Sequence, residues 1–425
     1  MEAALLGFAA LFVLLFLQVP ISFGMAIVGT IGFGYYIGFE PAFRSIGNTA
    51  VDTVLVYDFS VLPLFILMGN FVARSGISHD LYEASNAWLG HFRGGLAMAT
   101  VVACGGFSAV CGSSLATVAT MSKVAIPLMQ KYGYDERLAT GSVAAGGTLG
   151  ILIPPSVALV FYGIMTETDI GALFAAGIIP GLLGILLYAA AVAVMTRINP
   201  ELGPRGEKLP LRERIHALRG IWGMLLLFII VMGGIYGGIF TPTEAGAAGA
   251  FGALIIGLLK RKLDRKTLWG VLVETGHITV SILFLILAAN IYSRMLALSG
   301  LPQQMGGYVG DNFTVFIIVY VLILILLGMI LDSISIMLII LPLALPSLAT
   351  FGGDPIWFGV VTVIAVEIGL LTPPLGITCY VVKSTLNDDR ITLNQIFLGA
   401  MPFAFVMLLV TILLIAVPEL SLVFT

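Results

Sequence analysis

The chain has 425 residues, of which 59% are hydrophobic and 10% charged, and its mean hydropathy is +1.08. An ordinary globular domain carries roughly 25% charged residues, so this composition excludes a soluble globular protein and indicates an all-α chain that crosses a lipid bilayer many times. The net charge is −3, and no basic stripe in the sequence indicates nucleic-acid binding. The three cysteines and four histidines fit no metal or haem spacing.

The first half, residues 1–200, begins with apolar sequence that lacks a basic leader, which predicts a first membrane span rather than a cleaved signal peptide. Apolar runs predict further spans, and helical spacing of apolar residues predicts two segments lying in the membrane interface. The predicted spans are 3–19, 21–39, 56–74 and 170–196, and the interfacial segments are 43–54 and 79–92.

Residues 94–129 are too short for two full crossings with a loop, and Cys111-Gly112-Ser113-Ser114 interrupts them. This pattern predicts a re-entrant helical hairpin whose tip is the Gly-Ser-Ser turn. The next apolar segment, 134–167, is broken at Pro154-Pro155.

Residues 201–219 form the most polar stretch and are predicted to be a linker between two halves. Together with Arg197, the stretch is rich in arginine and lysine, which places it in the cytoplasm by the positive-inside rule. The basic residues are Arg197, Arg205, Lys208, Arg212, Arg214 and Arg219. A second basic loop, 260–266, lies two predicted crossings later, on the same side.

The second half, residues 220–425, repeats this organisation. Its hairpin, 313–350, is interrupted at Leu331-Asp332-Ser333, and its broken helix, 355–386, contains Pro373-Pro374. An amphipathic segment at 263–275 is predicted to be separate from the span that follows it. The predicted spans are 221–240, 243–259, 277–298 and 395–417. Counting about ten full crossings outward from the linker puts both termini on the non-cytoplasmic side.

The double prolines are the strongest local signal. Proline lacks a backbone N–H and collides with the preceding turn, so each pair must interrupt its helix. The residues before them, Ile153 and Thr372, are pushed towards extended backbone, and carbonyls near Gly150 and Gly369 lose their helical donors. Interrupted helices at corresponding positions of two halves are typical of the binding site of a secondary transporter.

The two halves align without gaps over 126–155 and 345–374, an offset of 219 residues. The matched positions are Pro127/Pro346, Gly133/Gly352, Asp135/Asp354, Gly150/Gly369, Leu152/Leu371, Pro154/Pro373 and Pro155/Pro374. The same offset places Ser113 on Asp332, and one residue further places Asn70 and Arg74 on Asn290 and Arg294. Because the charge pattern puts the halves on opposite sides, we interpret this as an inverted repeat.

Two hairpin tips and two breaks are expected to meet near the membrane midplane, where hydroxyls and carbonyls would suit a hard cation. Asp332 is a carboxylate at the centre of a hairpin. Such a charge costs roughly 2.5–3.5 kcal/mol to insert, which indicates a cation ligand, with a helix cap as the alternative. Arg294 either reaches the interface or binds an anionic substrate. Glu367 is predicted to brace the second break, and no nucleophile–base pair indicates an enzyme.

The sequence resembles the large membrane subunit, the M or DctM type, of tripartite ATP-independent periplasmic (TRAP) transporters. The segments that carry the resemblance are GGFSAVCGSSLAT (105–117), GTLGILIPPS (147–156), GGIFTPTEAGA (237–247), LDSISIMLIILPL (331–343) and FGVVTVIAVEIGLLTPPLG (358–376).

The resemblance implies Na⁺-coupled uptake of an organic anion, such as a C4-dicarboxylate or a related carboxylate or sulfonate, across a bacterial inner membrane. It implies a periplasmic binding protein and a separate small four-helix membrane subunit as partners, and an elevator motion of a transport domain against a scaffold. Its Na⁺ sites would map to Ser113, Ser114 and Gly150, and to Gly328, Asp332, Gly369 and Thr372. Its substrate contacts would map to Ser156, Asp332 and Arg294.

Two other functions stay open at this point. A stand-alone Na⁺/dicarboxylate symporter would work without a binding protein. An anion channel would pass current without saturation and without Na⁺.

Overall fold

The computed structural model describes residues 2–301 and 312–425, and within these ranges the chain is built from helices joined by short connections. The first half contains ten α-helices: α1 Glu2–Phe16, α2 Ile21–Ile37, α3 Phe39–Leu55, α4 Val61–Arg74, α5 Ile77–Leu89, α6 Gly95–Cys111, α7 Ser114–Lys131, α8 Glu136–Leu149, α9 Val157–Thr166 and α10 Ile170–Ile198. A short 3-10 turn, Tyr57–Ser60, leads into α4.

The remaining described helices begin in the polar linker: α11 Leu211–Leu218, α12 Trp222–Tyr236, α13 Pro242–Leu259, α14 Arg265–Leu298, α15 Phe313–Gly328, α16 Ser333–Thr350, α17 Pro355–Leu371, α18 Ile377–Leu386, α19 Leu393–Ala416 and α20 Glu419–Leu422. The all-helical prediction is therefore confirmed for the described residues. Residues 302–311 lie outside them.

Six helical stretches of the described chain are long and apolar enough to cross a membrane, and α3 with Tyr57–Arg74 forms a seventh that is bent by 60°. The six are Ile170–Ile198, Leu211–Tyr236, Pro242–Leu259, Arg265–Leu298, Ser333–Thr350 and Leu393–Ala416. The chain is thus a multi-pass membrane protein. The count of ten crossings depends on shorter apolar helices such as Ile21–Ile37 and stays a prediction.

The helix boundary predicted near residue 276 is absent from the structure. The interfacial segment 263–275 and the span 277–298 form the single 34-residue helix α14, which Asp264 caps by accepting the N–H of Thr267 at 2.7 Å. The change from polar to apolar residues near His277 marks a change of surroundings. With no proline between Arg265 and Leu298, nothing in the local backbone chemistry interrupts the helix there.

The helices that lead into the double prolines lie at the centre of the fold. Every residue of α8 from Leu138 to Leu149, and every residue of α17 from Trp357 to Leu371, is buried. The α8 helix packs against α6, α7 and α19, and α17 packs against α15 and α19. Over these residues neither helix has a face exposed to solvent, so the polar side chains that they carry, among them Glu367, are enclosed by protein. By contrast, α14 packs along α2 and α4 and also contacts α16.

Candidate functional site

The first hairpin consists of α6 and α7, which are joined by Gly112 and Ser113. Gly112 has a φ of +68°, a left-handed conformation that favours glycine, and Ser113 is extended. The Ser113 hydroxyl accepts the N–H of Ala116 at 3.4 Å and caps α7. The sequence therefore builds a tight tip that presents a helix N-terminus, where backbone N–H groups favour negative charge.

The second hairpin tip is centred on Asp332, which caps α16. Its carboxylate accepts the N–H groups of Ile334 and Ser335, each at 3.2 Å, and also accepts the Ser335 hydroxyl. Capping, the alternative considered from the sequence, is thus observed. The two carboxylate oxygens offer about four lone-pair positions, so capping leaves acceptor capacity for a further partner. Asp332 also lies on the wall of the main cavity.

Each broken helix is attached to the hairpin tip of its own half. The N–H of Val157 donates to the carbonyl of Gly112 at 3.2 Å, and the N–H of Gly376 donates to the carbonyl of Met329 at 3.2 Å. Pro154–Pro155 and Pro373–Pro374, each joined by a cis peptide bond, lie between the helices that they separate. The two donors are 219 residues apart, which is the repeat offset, and the two acceptors are 217 residues apart, so the two halves use a similar backbone contact between break and tip.

The carbonyls exposed by the second break have found new donors. The Thr372 hydroxyl donates to the Ile368 carbonyl at 2.6 Å, and the Thr372 N–H donates to the Gly369 carbonyl at 2.9 Å. The Thr378 hydroxyl donates to the Leu370 carbonyl at 2.7 Å. A carbonyl has two lone pairs, so these bonds still leave acceptor capacity for a cation.

The second hairpin and the second broken helix touch at two glycines. A Cβ atom on Gly369 would lie 2.5 Å from the Cα of Gly328 and 2.5 Å from the carbonyl oxygen of Ile325. A Cβ on Gly328 would lie 2.7 Å from the carbonyl oxygen of Val366. Backbone meets backbone here, which explains why both positions lack a side chain.

A cavity of about 460 Å³ opens between the two hairpin tips. Most of its wall is apolar, and its polar groups come from Ser113, Ser114, Asp332 and Ser333 at the tips and from Asn70 and Glu274 on α4 and α14. Small-molecule sites typically have volumes of roughly 300–1,000 Å³ with a few converging polar groups. The cavity therefore has the size and lining for a small polar substrate.

Several residues predicted from the sequence lie away from this wall. Ser156 is fully buried and caps α9 by accepting the N–H of Leu159 at 3.2 Å, while its neighbours Val157 and Ala158 line the cavity. Gly150 and Thr372 lie at the ends of α8 and α17. The structure thus brings Ser113, Ser114 and Asp332 together at the cavity, whereas Gly150, Ser156 and Thr372 do not line it.

Arg294 lines a different cavity of about 490 Å³, together with Asn290, Ser293 and Pro342. Its guanidinium donates to the hydroxyl of Ser45 on α3. The repeat partner of Arg294 is Arg74, which pairs with Glu274 at 2.9 Å, and Asn70 donates to Thr275 at 2.9 Å. The two Asn–Arg pairs therefore lie on different helices, α4 and α14.

Glu367 is the functional candidate that sequence reasoning underestimated. Its side chain is fully buried, and its two oxygens accept the hydroxyls of Ser114 and Ser333, each at 3.0 Å. The available signal was a lone carboxylate within the apolar run Trp357–Leu371. Such a residue inside a membrane segment is a functional candidate by default, but the sequence did not show that it contacts both tips.

Comparison with known proteins shows the family of the chain. Residues 8–420 match the family described as the tripartite ATP-independent periplasmic transporter, DctM component. The chain belongs to the DctM family. Among relatives, a C4-dicarboxylate TRAP transporter large permease protein DctM of Pseudomonas aeruginosa is 35% identical over 390 residues, which are 90% of each chain. An ectoine TRAP transporter large permease protein of Halomonas elongata is 30% identical and covers 96% of each chain.

Another relative of this DctM chain is an isethionate TRAP transporter permease protein DctMQ of Oleidesulfovibrio alaskensis. It is 32% identical over 97% of the present chain but over only 65% of its own length. Among solved structures, the YdaH transporter of Alcanivorax borkumensis superposes with a TM-score of 0.60 over 89% of this chain and 88% of that one. At 15% identity that likeness concerns the fold alone. The DctM family assignment supports a transport role rather than an enzymatic one.

Proposed function

We propose that this chain is the Na⁺-coupled permease subunit of a TRAP transporter that imports an organic anion. The observation that carries the proposal is the cavity between two capped hairpin tips, where helix N-termini, serine hydroxyls and the Asp332 carboxylate converge. Helix N-termini favour the anion, whereas hydroxyl, carbonyl and carboxylate oxygens are ligands for a hard cation.

Charge balance in the cavity supports Na⁺ coupling. Among the described residues that line it, two are acidic and none is arginine, lysine or histidine. Glu274 is paired with Arg74 at 2.9 Å, so within the described residues Asp332 is the acidic group of this wall that forms no ion pair. An organic anion entering this space meets negative charge unless cations enter with it. Following the family resemblance, we propose one Na⁺ site at Ser113, Ser114 and Gly150, and the other at Gly328, Asp332, Gly369 and Thr372.

The spacing of cavities along α14 supports an elevator motion. A second cavity of about 340 Å³ lies beside Asp332 and is lined by His277, Ser281 and Leu285 of α14. The Arg294 cavity lies further along the same helix, about 25 Å from His277 at about 1.5 Å per residue. In our proposal the two hairpins and the two broken helices move together along α14. At the Arg294 end of this path, Arg294 then contacts the substrate.

The partners follow from the family. We propose that a periplasmic binding protein delivers the substrate and that a small four-helix membrane subunit packs beside this chain in the bacterial inner membrane, with both termini periplasmic. The isethionate relative supports a two-component membrane unit. The permease protein DctMQ extends beyond the match by about a third of its length, which leaves room for a second membrane component in the same chain.

Uptake into proteoliposomes that hold both membrane subunits, with the binding protein added, tests the proposal. Labelled C4-dicarboxylate, sialate and isethionate are the probes. We expect uptake to require an inward Na⁺ gradient and to increase with an inside-negative voltage, since each net charge gains roughly 2.3 kcal/mol per 100 mV. An uptake rate that depends on neither the Na⁺ gradient nor the voltage would contradict the mechanism. Uptake without the binding protein would identify a stand-alone symporter, and unsaturable current an anion channel.

Arg294→Gln tests the far end of the path. If Arg294 binds the substrate anion, the KM for substrate should rise about 10- to 100-fold, because a hydrogen bond to a charged group contributes about 1.5–3 kcal/mol. Arg44→Gln is the matched control, since Arg44 lies on α3 beside Ser45 and forms an exposed ion pair with Glu40. A wild-type KM in Arg294→Gln would show that Arg294 serves only its contact with Ser45.

A further inference from the structure

Glu367 connects the two halves of the protein at the site. It lies on the central helix α17, and its carboxylate receives one hydrogen bond from Ser114 and one from Ser333. Ser114 is the first residue of α7 and Ser333 the first residue of α16, so the donors belong to different hairpins. A single side chain therefore holds both tips, and the three residues are far apart in the sequence.

These hydrogen bonds determine how the two serines can act. A serine hydroxyl has one proton to donate and two lone pairs that accept. Because Ser114 and Ser333 each give that proton to Glu367, their lone pairs stay available to other partners. Both serines also lie on the cavity wall. An outer partner that orients a ligand in this way is a common feature of metal sites, and its loss typically lowers metal affinity about 10- to 100-fold.

The charge of Glu367 also indicates that cations bind close to the two serines. A buried carboxylate is costly unless it is paired or close to a cation, and two neutral hydroxyls offset that cost only in part. In the described part of the chain no arginine, lysine or histidine forms an ion pair with Glu367. Two cations bound at the tips would lie one hydroxyl away from this carboxylate, on either side of it.

We propose that Glu367 is a positioning residue that orients the Ser114 and Ser333 hydroxyls towards two cations and makes the two cation sites form together. The cation part of this inference rests on the proposed Na⁺ coupling. The physical bridge between the tips does not, and it can be measured without transport.

Glu367→Gln in the complete transporter separates charge from shape. A glutamine fits the same space and can still bond to both serines, since a hydroxyl can rotate to accept from the amide. We expect the Na⁺ concentration for half-maximal uptake to rise at least tenfold, and the Hill coefficient for Na⁺ to fall towards about 1. Thr362→Val is the control, because it removes a buried polar group from the same helix without touching a tip. Wild-type Na⁺ half-saturation and Hill coefficient in Glu367→Gln would overturn the cation part.

Ser114→Ala and Ser333→Ala extend the test. Each should raise the half-saturating Na⁺ concentration, and neither should raise it much further when Glu367 is already glutamine, because residues of one network are not additive. Fully additive effects would contradict the shared role of Glu367. Ser347→Ala, a buried serine further along α16, serves as the control for the second hairpin.

Amide hydrogen exchange of the complete transporter tests the bridge itself. In Glu367→Ala, exchange of residues 112–116 and 331–335 should accelerate together by at least tenfold. Glu367→Gln should show a smaller change, since it keeps the shape of the bridge. Unchanged exchange, or acceleration at one tip only, would show that Glu367 does not join the tips. If wild-type uptake ignored Na⁺, the proposed function would fail while this measurement still decided the bridge.

Discussion

Asp332→Asn should raise the Na⁺ concentration for half-maximal uptake about 10- to 100-fold, because loss of even an outer partner of a metal site has an effect of that size. Asparagine is as good an N-cap as aspartate, so α16 keeps its cap from the oxygen that accepts from Ile334 and Ser335. The substitution therefore removes a negative charge from the cavity and requires the Ser335 hydroxyl to accept from the new amide instead of donating. Uptake measured across a series of Na⁺ concentrations, together with the melting temperature, separates the two roles of Asp332.

Asp354→Asn is the matched control for this experiment. Asp354 caps α17 in the same way, accepting the N–H groups of Ile356 and Trp357 at 2.8 and 2.9 Å, but it is exposed and lies outside the cavity. We expect its Na⁺ dependence and its melting temperature to match the wild type. An Asp332→Asn transporter with wild-type Na⁺ dependence would limit Asp332 to its capping role and remove it from the cation site.

Gly369→Ala should destabilise the protein by about 1–3 kcal/mol, the usual effect of overpacking a tightly packed interior. The new methyl group would lie 2.5 Å from backbone atoms of Gly328 and Ile325, which have no side-chain freedom to move away. The second hairpin must therefore shift relative to the second break. We expect a lower melting temperature of the purified complex and a weaker Na⁺ dependence of uptake.

Gly270→Ala provides the comparison, since a Cβ atom at Gly270 on α14 meets nothing within 4 Å. Alanine in an open helical position stabilises by roughly 0.5–1 kcal/mol relative to glycine, so this variant should melt at the same temperature as the wild type or slightly higher. If Gly369→Ala melted like Gly270→Ala, the tight contact between hairpin and break would be wrong.

Much of the local structure could be read from the sequence because it depends on neighbouring residues only. A double proline interrupts a helix wherever it occurs, and Ser113, Asp332 and Asp354 all precede the helices that they cap. The repeat brought corresponding features together, since Gly150 directly follows α8 and Gly369 lies two residues before the end of α17. These features required only chain order and backbone chemistry.

The contacts of individual polar side chains could not be read in the same way. Arg294 and Asp332 both looked like substrate residues, yet they line separate cavities. The boundary expected near residue 276 does not exist, because hydropathy reports the surroundings of a helix and not its end. Ser156 has a suitable hydroxyl but uses it to cap α9 behind the cavity wall.

The sequence by itself determined that this is an all-helical membrane protein with interrupted helices in corresponding positions, because composition, proline chemistry and capping act over a few residues. The DctM family followed from the resemblance of whole segments and from the match over residues 8–420. Only the tertiary structure decided that Glu367 meets Ser114 and Ser333, which are 253 and 34 residues away along the chain. Contacts of that kind form when separate helices pack and exclude solvent, and no local pattern records which buried donors will face a buried carboxylate.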